Sequence, residues 1–139
     1  MERIYFSVEI KRLVRERAQH VCEYCRCLAA FSPDPFVIEH IIPLSRKGTN
    51  ETSNLAFACS GCNNFKLTAV TAYDSVSRKR VRLFNPRRDD WSEHFAWADE
   101  KHSVILGLTP IGRATVNRLK LNREGAVNLR CALRQLGLR

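Results

Sequence analysis

The sequence of 139 residues predicts a single domain of the α+β class that spans residues 1–139. Two Cys-x-x-Cys pairs enclose a segment with the pattern of strand, loop and returning strand, and a helical pattern follows the second pair. An apolar stripe before the first pair predicts an N-terminal helix, and short strands and two more helices are predicted beyond the second pair. The chain therefore divides into a core at about 20–68 and a C-terminal extension at about 78–139.

The N-terminal helix is predicted to start after Ser7, a residue type that caps helices, and to run to about His20. Within the core, residues 36–38 form a short β-type run that leads into Glu39 and His40, and residues 54–58 return to the second cysteine pair. Pro43 disfavours a ladder partner, and a polar stretch around a glycine separates the two strands. A helix is predicted to begin at about residue 63.

In the extension, residues 78–84 alternate basic and apolar side chains, which predicts a half-buried strand with one basic face. A second β-type run covers 103–108, and Thr109 followed by Pro110 predicts a helix start, with the helix continuing to about Leu121. Asn122 is predicted to cap a last helix that stops near Gly137. That helix carries an apolar stripe composed of Ala126, Leu129, Leu133 and Leu136. Beside it lies a basic stripe composed of Arg123, Arg130 and Arg134.

The two cysteine pairs are predicted to share one structural zinc ion, because four thiolates in tetrahedral array form a closed site. The ligands would be Cys22, Cys25, Cys59 and Cys62. A redox motif is the alternative for a single Cys-x-x-Cys pair, but the chain lacks the βαβ pattern that accompanies it. Cys27 is a weaker competitor as a ligand, and Cys131 lies in a helical pattern where it is expected to be a small buried apolar residue.

The expected compartment is the cytoplasm. The first residues have no long apolar segment after a basic stretch, so no signal peptide is predicted, and no window approaches the length needed to cross a bilayer. Thiols stay reduced in the cytoplasm, where clustered cysteines usually bind metal rather than form disulfides.

Positive charge is concentrated in the second half of the chain. The formal net charge is +9, of which residues 1–66, with 9 basic and 7 acidic side chains, contribute +2 and residues 67–139, with 14 and 7, contribute +7. Such asymmetry predicts a polyanionic partner, most often nucleic acid, although a basic surface that only aids solubility is the alternative.

Several motifs follow one another along the chain: a Cys-x-x-Cys pair, the run Glu39-His40-Ile41-Ile42-Pro43-Leu44, a glycine turn, Asn54-Leu55, and the run from Cys59 through Cys62 and Asn63 to Lys66. In this order they resemble the HNH endonuclease family, the ββα-metal or His-Me finger class, over about residues 20–68. The resemblance implies a ββα-metal core stapled by the zinc ion.

The resemblance also implies the roles of individual side chains. Glu39 and Asn63 would hold a catalytic Mg²⁺ or Mn²⁺ through hard oxygen atoms, and His40 would accept a proton from water, a role that suits its ordinary pKa. Asn54 would orient the loop that carries the histidine, and Lys66 falls at a basic position that can meet a phosphate. Glu39 and His40 are neighbours on a strand and point to opposite faces unless the strand breaks there.

Two classes of function remain open on this basis. The first is a metal-dependent endonuclease acting on nucleic acid, most often DNA, with RNA as an alternative substrate. The second is a catalytically silent zinc-knuckle module that only binds nucleic acid; a zinc-stabilised protein-interaction domain is a weaker third. Arg113 and the basic stripe of the last helix are predicted to contact the nucleic-acid backbone. His94 lies among aromatic residues and is expected in a small core that covers the zinc knuckle. No oligomeric state is predicted.

Overall fold

The computed structural model describes residues 5–138 of the chain. It contains five α-helices and three antiparallel hairpins, which confirms the predicted α+β class. In chain order the elements are α1 (Val8–Arg17), β1 (Val37–His40), β2 (Leu55–Ala58), α2 (Ser60–Lys66), β3 (Thr71–Asp74), β4 (Lys79–Arg82), α3 (Trp91–His94), β5 (Phe95–Trp97), β6 (Ile105–Gly107), α4 (Pro110–Leu119) and α5 (Glu124–Gln135).

The core has the order strand, loop, strand and helix. Strands β1 and β2 pair in a register that places Glu39 opposite Ala56 and His40 opposite Leu55. Residues 41–54, named here the histidine loop, join the two strands, and α2 follows two residues after β2. Cys59 is the N-cap of α2, so that the second cysteine pair sits at the start of this helix. Hairpin and helix together bring the HNH-like motifs onto one small unit.

Helix boundaries follow local capping. Ser7 caps α1 by accepting a hydrogen bond from the backbone N–H of Ile10, as predicted, and Thr109 caps α4 in the same way through Gly112 with Pro110 at the first position. Helix α1 ends at Arg17 rather than near residue 20, because Gln19 and His20 both adopt left-handed backbone conformations.

Four local features differ from the prediction. Asn122 does not cap α5; its side-chain amide instead exchanges two hydrogen bonds with the backbone of Ile105, which fixes the end of β6. Helix α2 starts at Ser60, three residues before the predicted start. Strand β3 was not predicted, and it pairs with the basic strand β4. Leu136 was placed on the apolar stripe of the last helix but is 69% exposed.

The C-terminal extension packs directly on the zinc-knuckle core. One cluster of buried residues includes the four paired cysteines, Ala56 and Ala58 of β2, and also Ala114, Leu119 and Leu121 from α4 and the segment after it. Two-stranded hairpins are marginal by themselves in water, so this shared burial is what stabilises the three small sheets. Within residues 5–138, no helix is both long and apolar enough to cross a membrane.

Candidate metal centre and active site

The four paired cysteines converge on one point. Cys22 and Cys25 lie in the turn after α1, Cys59 and Cys62 lie at the start of α2, and all four side chains are buried. Their sulfur atoms lie within 4.8 Å of one another, and the Cys25 and Cys59 sulfurs are 3.7 Å apart. A tetrahedral zinc with bonds of about 2.3 Å separates its sulfur ligands by about 3.8 Å. The geometry therefore fits a four-cysteine zinc site rather than disulfides, and all six cysteines are free thiols.

Backbone N–H groups support the two cysteine turns. The N–H of Cys25 points at the sulfur of Cys22, and the N–H of Cys62 at that of Cys59, each at 3.4 Å. Cys27, the weaker competitor, stands outside the four-sulfur group, with its sulfur near the carbonyl of Ala126. Cys131 is half-buried rather than buried as predicted.

Two arginines lie against this centre. Arg123 donates from its guanidinium to the sulfurs of Cys59 at 3.3 Å and Cys62 at 3.6 Å. Burial lowers the pKa of Arg123, but the sulfurs of Cys62 and Cys25 outweigh it and leave the pKa above its ordinary value. Arg130 is 2% exposed and donates to the carbonyl oxygens of Cys25 and Ser103. A zinc ion with four thiolates carries a net charge of −2, which two adjacent guanidinium groups compensate.

These contacts correct the predicted nucleic-acid surface. Arg130 was predicted to contact the nucleic-acid backbone, but its donors are used inside the protein and its side chain is buried. Arg123 faces the cysteine sulfurs, and Arg113 makes two hydrogen bonds to Asp74, which holds the pKa of that carboxyl below its usual value. Arg134 is exposed and donates to the carbonyl of Glu100. The basic stripe predicted on the last helix is therefore not one continuous free surface.

Three of the residues that the sequence assigned to the site, Glu39, His40 and Asn63, line one surface depression of about 290 Å³, named here the His40 depression. It is lined by Glu39, His40, Asn63 and residues of the neighbouring loops, which are Ile38, Pro43, Leu44, Ser45, Leu67 and Thr68. Glu39 and His40 lie at the end of β1, and Asn63 lies in the first turn of α2. The ββα arrangement is thus what brings these three residues to one place.

The His40 ring is held from the histidine loop. Its Nε2 atom lies 2.8 Å from the amide oxygen Oδ1 of Asn50, and the ring of Phe6 lies 5.7 Å away, centre to centre. An amide oxygen only accepts, so with this assignment Nε2 carries the proton and donates it. The other ring nitrogen, Nδ1, is then the basic atom. Asn50 was not among the predicted site residues, because nothing in a polar loop sequence distinguishes it from other turn residues.

Glu39 occupies a different environment from its neighbour. Its carboxylate is 4% exposed, forms an ion pair with Lys66 and accepts a 2.7 Å hydrogen bond from the hydroxyl of Tyr24. Burial raises the pKa of Glu39, and Lys66 and Tyr24 oppose that rise. The Lys66 ammonium group lies against the Oε1 atom, and the Tyr24 hydroxyl donates to Oε2. Strand pairing continues to His40, so the expected break between the two residues is absent and they face different partners.

Lys66 does not lie where the sequence predicted a phosphate contact. Its side chain is 1% exposed, and besides the ion pair it donates a 2.9 Å hydrogen bond to the carbonyl of Ile41. The predicted phosphate contact therefore does not fit the buried side chain, because Lys66 lies on the face of α2 that packs against β1 and the start of the histidine loop. Tyr24, whose hydroxyl also contacts the carboxylate, was not among the predicted site residues; it lies inside the first cysteine turn.

Asn54 clamps the histidine loop. Its amide accepts from the N–H of Ile42 at 2.9 Å and donates to the carbonyl oxygens of Ile42 and Thr49 at 2.9 and 2.8 Å. Gly48 makes this closure possible, because a Cβ atom there would lie 1.7 Å from the carbonyl oxygen of Ile42. Asn54 thus contacts the loop backbone and does not line the His40 depression.

An aromatic cluster lies below the site. Phe84 contacts Tyr24, His94 and Phe95 at ring distances of 6.5, 6.1 and 5.1 Å. His94 is buried and its Nδ1 atom lies 2.6 Å from the hydroxyl of Thr109. This cluster supports the tyrosine that holds Glu39, and its rings are packed against one another.

Comparison with known proteins identifies the region that contains this site. Residues 22–67 match the HNH endonuclease family, a span of about one third of the chain that starts at the first zinc cysteine and ends just after Lys66. No curated protein sequence matches the chain.

Proposed function

Residues 22–67 form an HNH endonuclease domain, and from this premise we propose that the protein is a metal-dependent endonuclease that hydrolyses phosphodiester bonds in DNA. One observation carries the proposal: Glu39, His40 and Asn63 line a single open depression on the ββα unit. A module that only bound nucleic acid would have no need of a base, a carboxylate and an amide in one place.

His40 is the proposed general base. Its Nε2 atom is hydrogen-bonded to Asn50, so Nδ1 is the ring nitrogen that can take a proton from water. Asn54 keeps the loop that carries Asn50 closed and thereby keeps the ring in place. General-base catalysis of this kind typically contributes about 10²–10⁴-fold to a rate.

Glu39 and Asn63 are the proposed ligands of a catalytic Mg²⁺ or Mn²⁺. Both residues offer the oxygen atoms that such an ion prefers, and a cation at Glu39 would take the place of the Lys66 ammonium group, which lies against the Oε1 atom. A bound divalent cation would supply charge neutralisation at the phosphate. The four-cysteine site is proposed to hold a structural Zn²⁺, with folding rather than chemistry as its purpose.

DNA is the proposed substrate and partner because of the net charge of +9. A cytoplasmic location is proposed with it, since reduced thiols are required for a zinc centre built from cysteines. The chain is proposed to act as one domain, with the extension packed on the nuclease core through their shared apolar cluster.

A catalytically silent nucleic-acid-binding module is the second candidate, and one observation favours it. The carboxylate of Glu39 is already neutralised by Lys66 and buried, which is the state expected of a structural ion pair. In that case no added divalent cation would lead to hydrolysis.

Incubation of the purified protein with supercoiled plasmid separates the two candidates. With Mg²⁺ or Mn²⁺ we expect conversion to nicked or linear DNA, and with EDTA or in the His40→Ala variant we expect none. His20→Asn is a matched control, because His20 is exposed, lies outside the His40 depression and has a left-handed backbone that asparagine tolerates. Unchanged zinc content and melting temperature would establish that His40→Ala is folded. Cleavage by this variant at the normal rate would remove His40 from the mechanism.

A further inference from the structure

A groove beside the histidine loop takes no part in the proposed chemistry. Two depressions, of about 210 and 280 Å³, share Ile42, Asn85 and Arg88 and therefore form one continuous groove, named here the Arg88 groove. Its first part lies between the start of the histidine loop and the segment that follows β4, and its second part lies along the middle of the loop. The two parts have different chemistry.

The first part is a small cavity lined by apolar and polar residues. The apolar residues are Ile41, Ile42, Ala69, Val70, Leu83 and Phe84, and the polar residues are Arg82, Asn85, Arg88 and the buried Lys66. Sites for drug-sized ligands start at roughly 300 Å³, so this cavity of about 210 Å³ suits a smaller flat group. Apolar surface below and hydrogen-bonding groups at the edge are what a single nucleobase requires.

The second part is polar and positively charged. It is lined by Lys47, Gly48, Thr49, Ser53 and Asn54 together with the three shared residues, and no carboxylate is among them.

The charges of Lys47 and Arg88 are not compensated. Both side chains are exposed, and neither forms a hydrogen bond or ion pair with any residue between 5 and 138. The other cations of the groove differ in this respect, because Lys66 is paired with Glu39 and Arg82 with Asp89. Two uncompensated cations beside an apolar cavity therefore match a phosphate attached to a base.

We propose that the Arg88 groove binds one unstacked nucleotide of the substrate, with the base in the apolar cavity and its phosphate between Lys47 and Arg88. This inference rests on the proposed nuclease function and specifies its substrate class, namely DNA with an unpaired or easily extruded base near the cut. The histidine loop links groove and catalytic site, because Asn50 holds His40 while Thr49 and Asn54 line the groove. Extruding a base from an intact duplex is unfavourable, and the cost is smallest for an unpaired base.

Binding to matched and bulged DNA tests the proposal. The His40→Ala protein is titrated into a fluorescent 30-base-pair duplex and into the same duplex with one unpaired 2-aminopurine nucleotide. We expect the bulged duplex to bind at least about tenfold more tightly, and the 2-aminopurine emission to change on binding. Equal affinities for the two duplexes would overturn the proposal.

Variants separate the two parts of the groove. Ala69→Leu, or Val70→Phe as a second way to fill the cavity, is expected to remove the preference for the bulge and to leave the salt dependence of binding unchanged.

Arg88→Ala is expected to weaken binding of both duplexes and to lower the slope of log affinity against log salt by about 0.9. Lys101→Ala is the matched control, because Lys101 is exposed and lies outside the groove. Melting temperatures establish that each variant is folded, and a preference that persists in both folded cavity variants would contradict the proposal.

The DNA-binding experiment and the plasmid-cleavage assay can succeed or fail independently of each other. Plasmid cleavage without a preference for the bulged duplex would overturn this inference and leave the nuclease function standing. A bulge preference in a wild-type protein that cleaves nothing would support the groove and contradict the nuclease function.

Discussion

The carboxylate of Glu39 and the ammonium group of Lys66 form a buried ion pair, with both side chains at most 4% exposed. The pair joins β1 to the last turn of α2, the two elements that carry the predicted catalytic metal ligands. Lys66 therefore supplies the positive charge that Glu39 requires in the absence of a divalent cation. The Lys66 ammonium group and a divalent cation therefore compete to neutralise the Glu39 carboxylate.

Replacement of Lys66 by methionine should destabilise the metal-free protein by about 3–5 kcal/mol, because it leaves a buried carboxylate without its partner. Mn²⁺ should then raise the melting temperature of Lys66→Met by more than it raises that of the wild type, since the cation no longer competes with the lysine. Thermal unfolding with EDTA and with Mn²⁺ measures both effects.

The double variant Lys66→Met/Glu39→Gln is the control for that experiment. It removes the unpaired charge, so it should recover part of the lost stability and respond less to Mn²⁺. If Lys66→Met alone had the wild-type melting temperature, the ion pair would make no net contribution to the stability of the protein.

The zinc centre should be required for folding. Cys59→Ser is expected to abolish the cooperative thermal transition and the stoichiometric zinc, because the free energy of binding a structural zinc is free energy of folding, about 10–16 kcal/mol in zinc-finger peptides. Cys131→Ser is the matched control, since Cys131 lies outside the four-sulfur group. The Cys131→Ser protein should still bind one zinc ion per chain. Elemental analysis and circular dichroism decide the matter; a fully folded, zinc-free Cys59→Ser protein would contradict the assignment.

Arg123 should stabilise zinc rather than DNA binding. Loss of a group that hydrogen-bonds to metal ligands typically weakens metal affinity about 10–100-fold, so Arg123→Ala should release zinc to a chelator faster than the wild type does. Arg134→Ala, which changes an exposed residue of α5, should release zinc at the wild-type rate. Chromogenic chelator kinetics provide the measurement, and equal release rates for Arg123→Ala and wild type would contradict this role.

The same contacts change the expectation for a combined replacement of Arg123, Arg130 and Arg134. The backbone contacts that the sequence predicts for these three residues imply that such a variant weakens binding to all duplexes while Glu39 and His40 stay assembled. Because Arg130 is buried with donors to three internal oxygen acceptors, we now expect the triple variant to unfold at a lower temperature than Arg134→Ala. A triple variant with the wild-type melting temperature would restore the original expectation.

Asn50 should affect catalysis through His40. Asn50→Ala removes the partner of Nε2, so the ring loses its orientation and cleavage should fall by about 10²-fold, the effect expected of a misplacement of about 1 Å. Binding of DNA should change little, because Asn50 acts on the ring of His40. Asn64→Ala, exposed on α2, is the matched control. A wild-type cleavage rate in Asn50→Ala would place Asn50 outside the mechanism.

The sequence alone was sufficient for features that depend on local order. Cysteine spacing identified the four sulfur atoms that the structure brings within 4.8 Å. Apolar patterns predicted α1, β1, β2 and α5, and the helix start at Thr109 and Pro110 predicted α4. Ser7 and Thr109 were predicted as caps because capping involves residues only three positions away. Motif order over residues 20–68 was enough to indicate the HNH family.

Only the tertiary structure decided where the long cationic side chains point. Arg130 and Cys25 are 105 positions apart in the chain, and Arg123 and Cys59 are 64 apart, so no local pattern reports these contacts. A lysine or arginine on a helix has the same sequence signature whether it faces DNA or a buried anion. The charge of each cation was evident from its residue type, but its partner depended on how the C-terminal helices pack on the zinc knuckle.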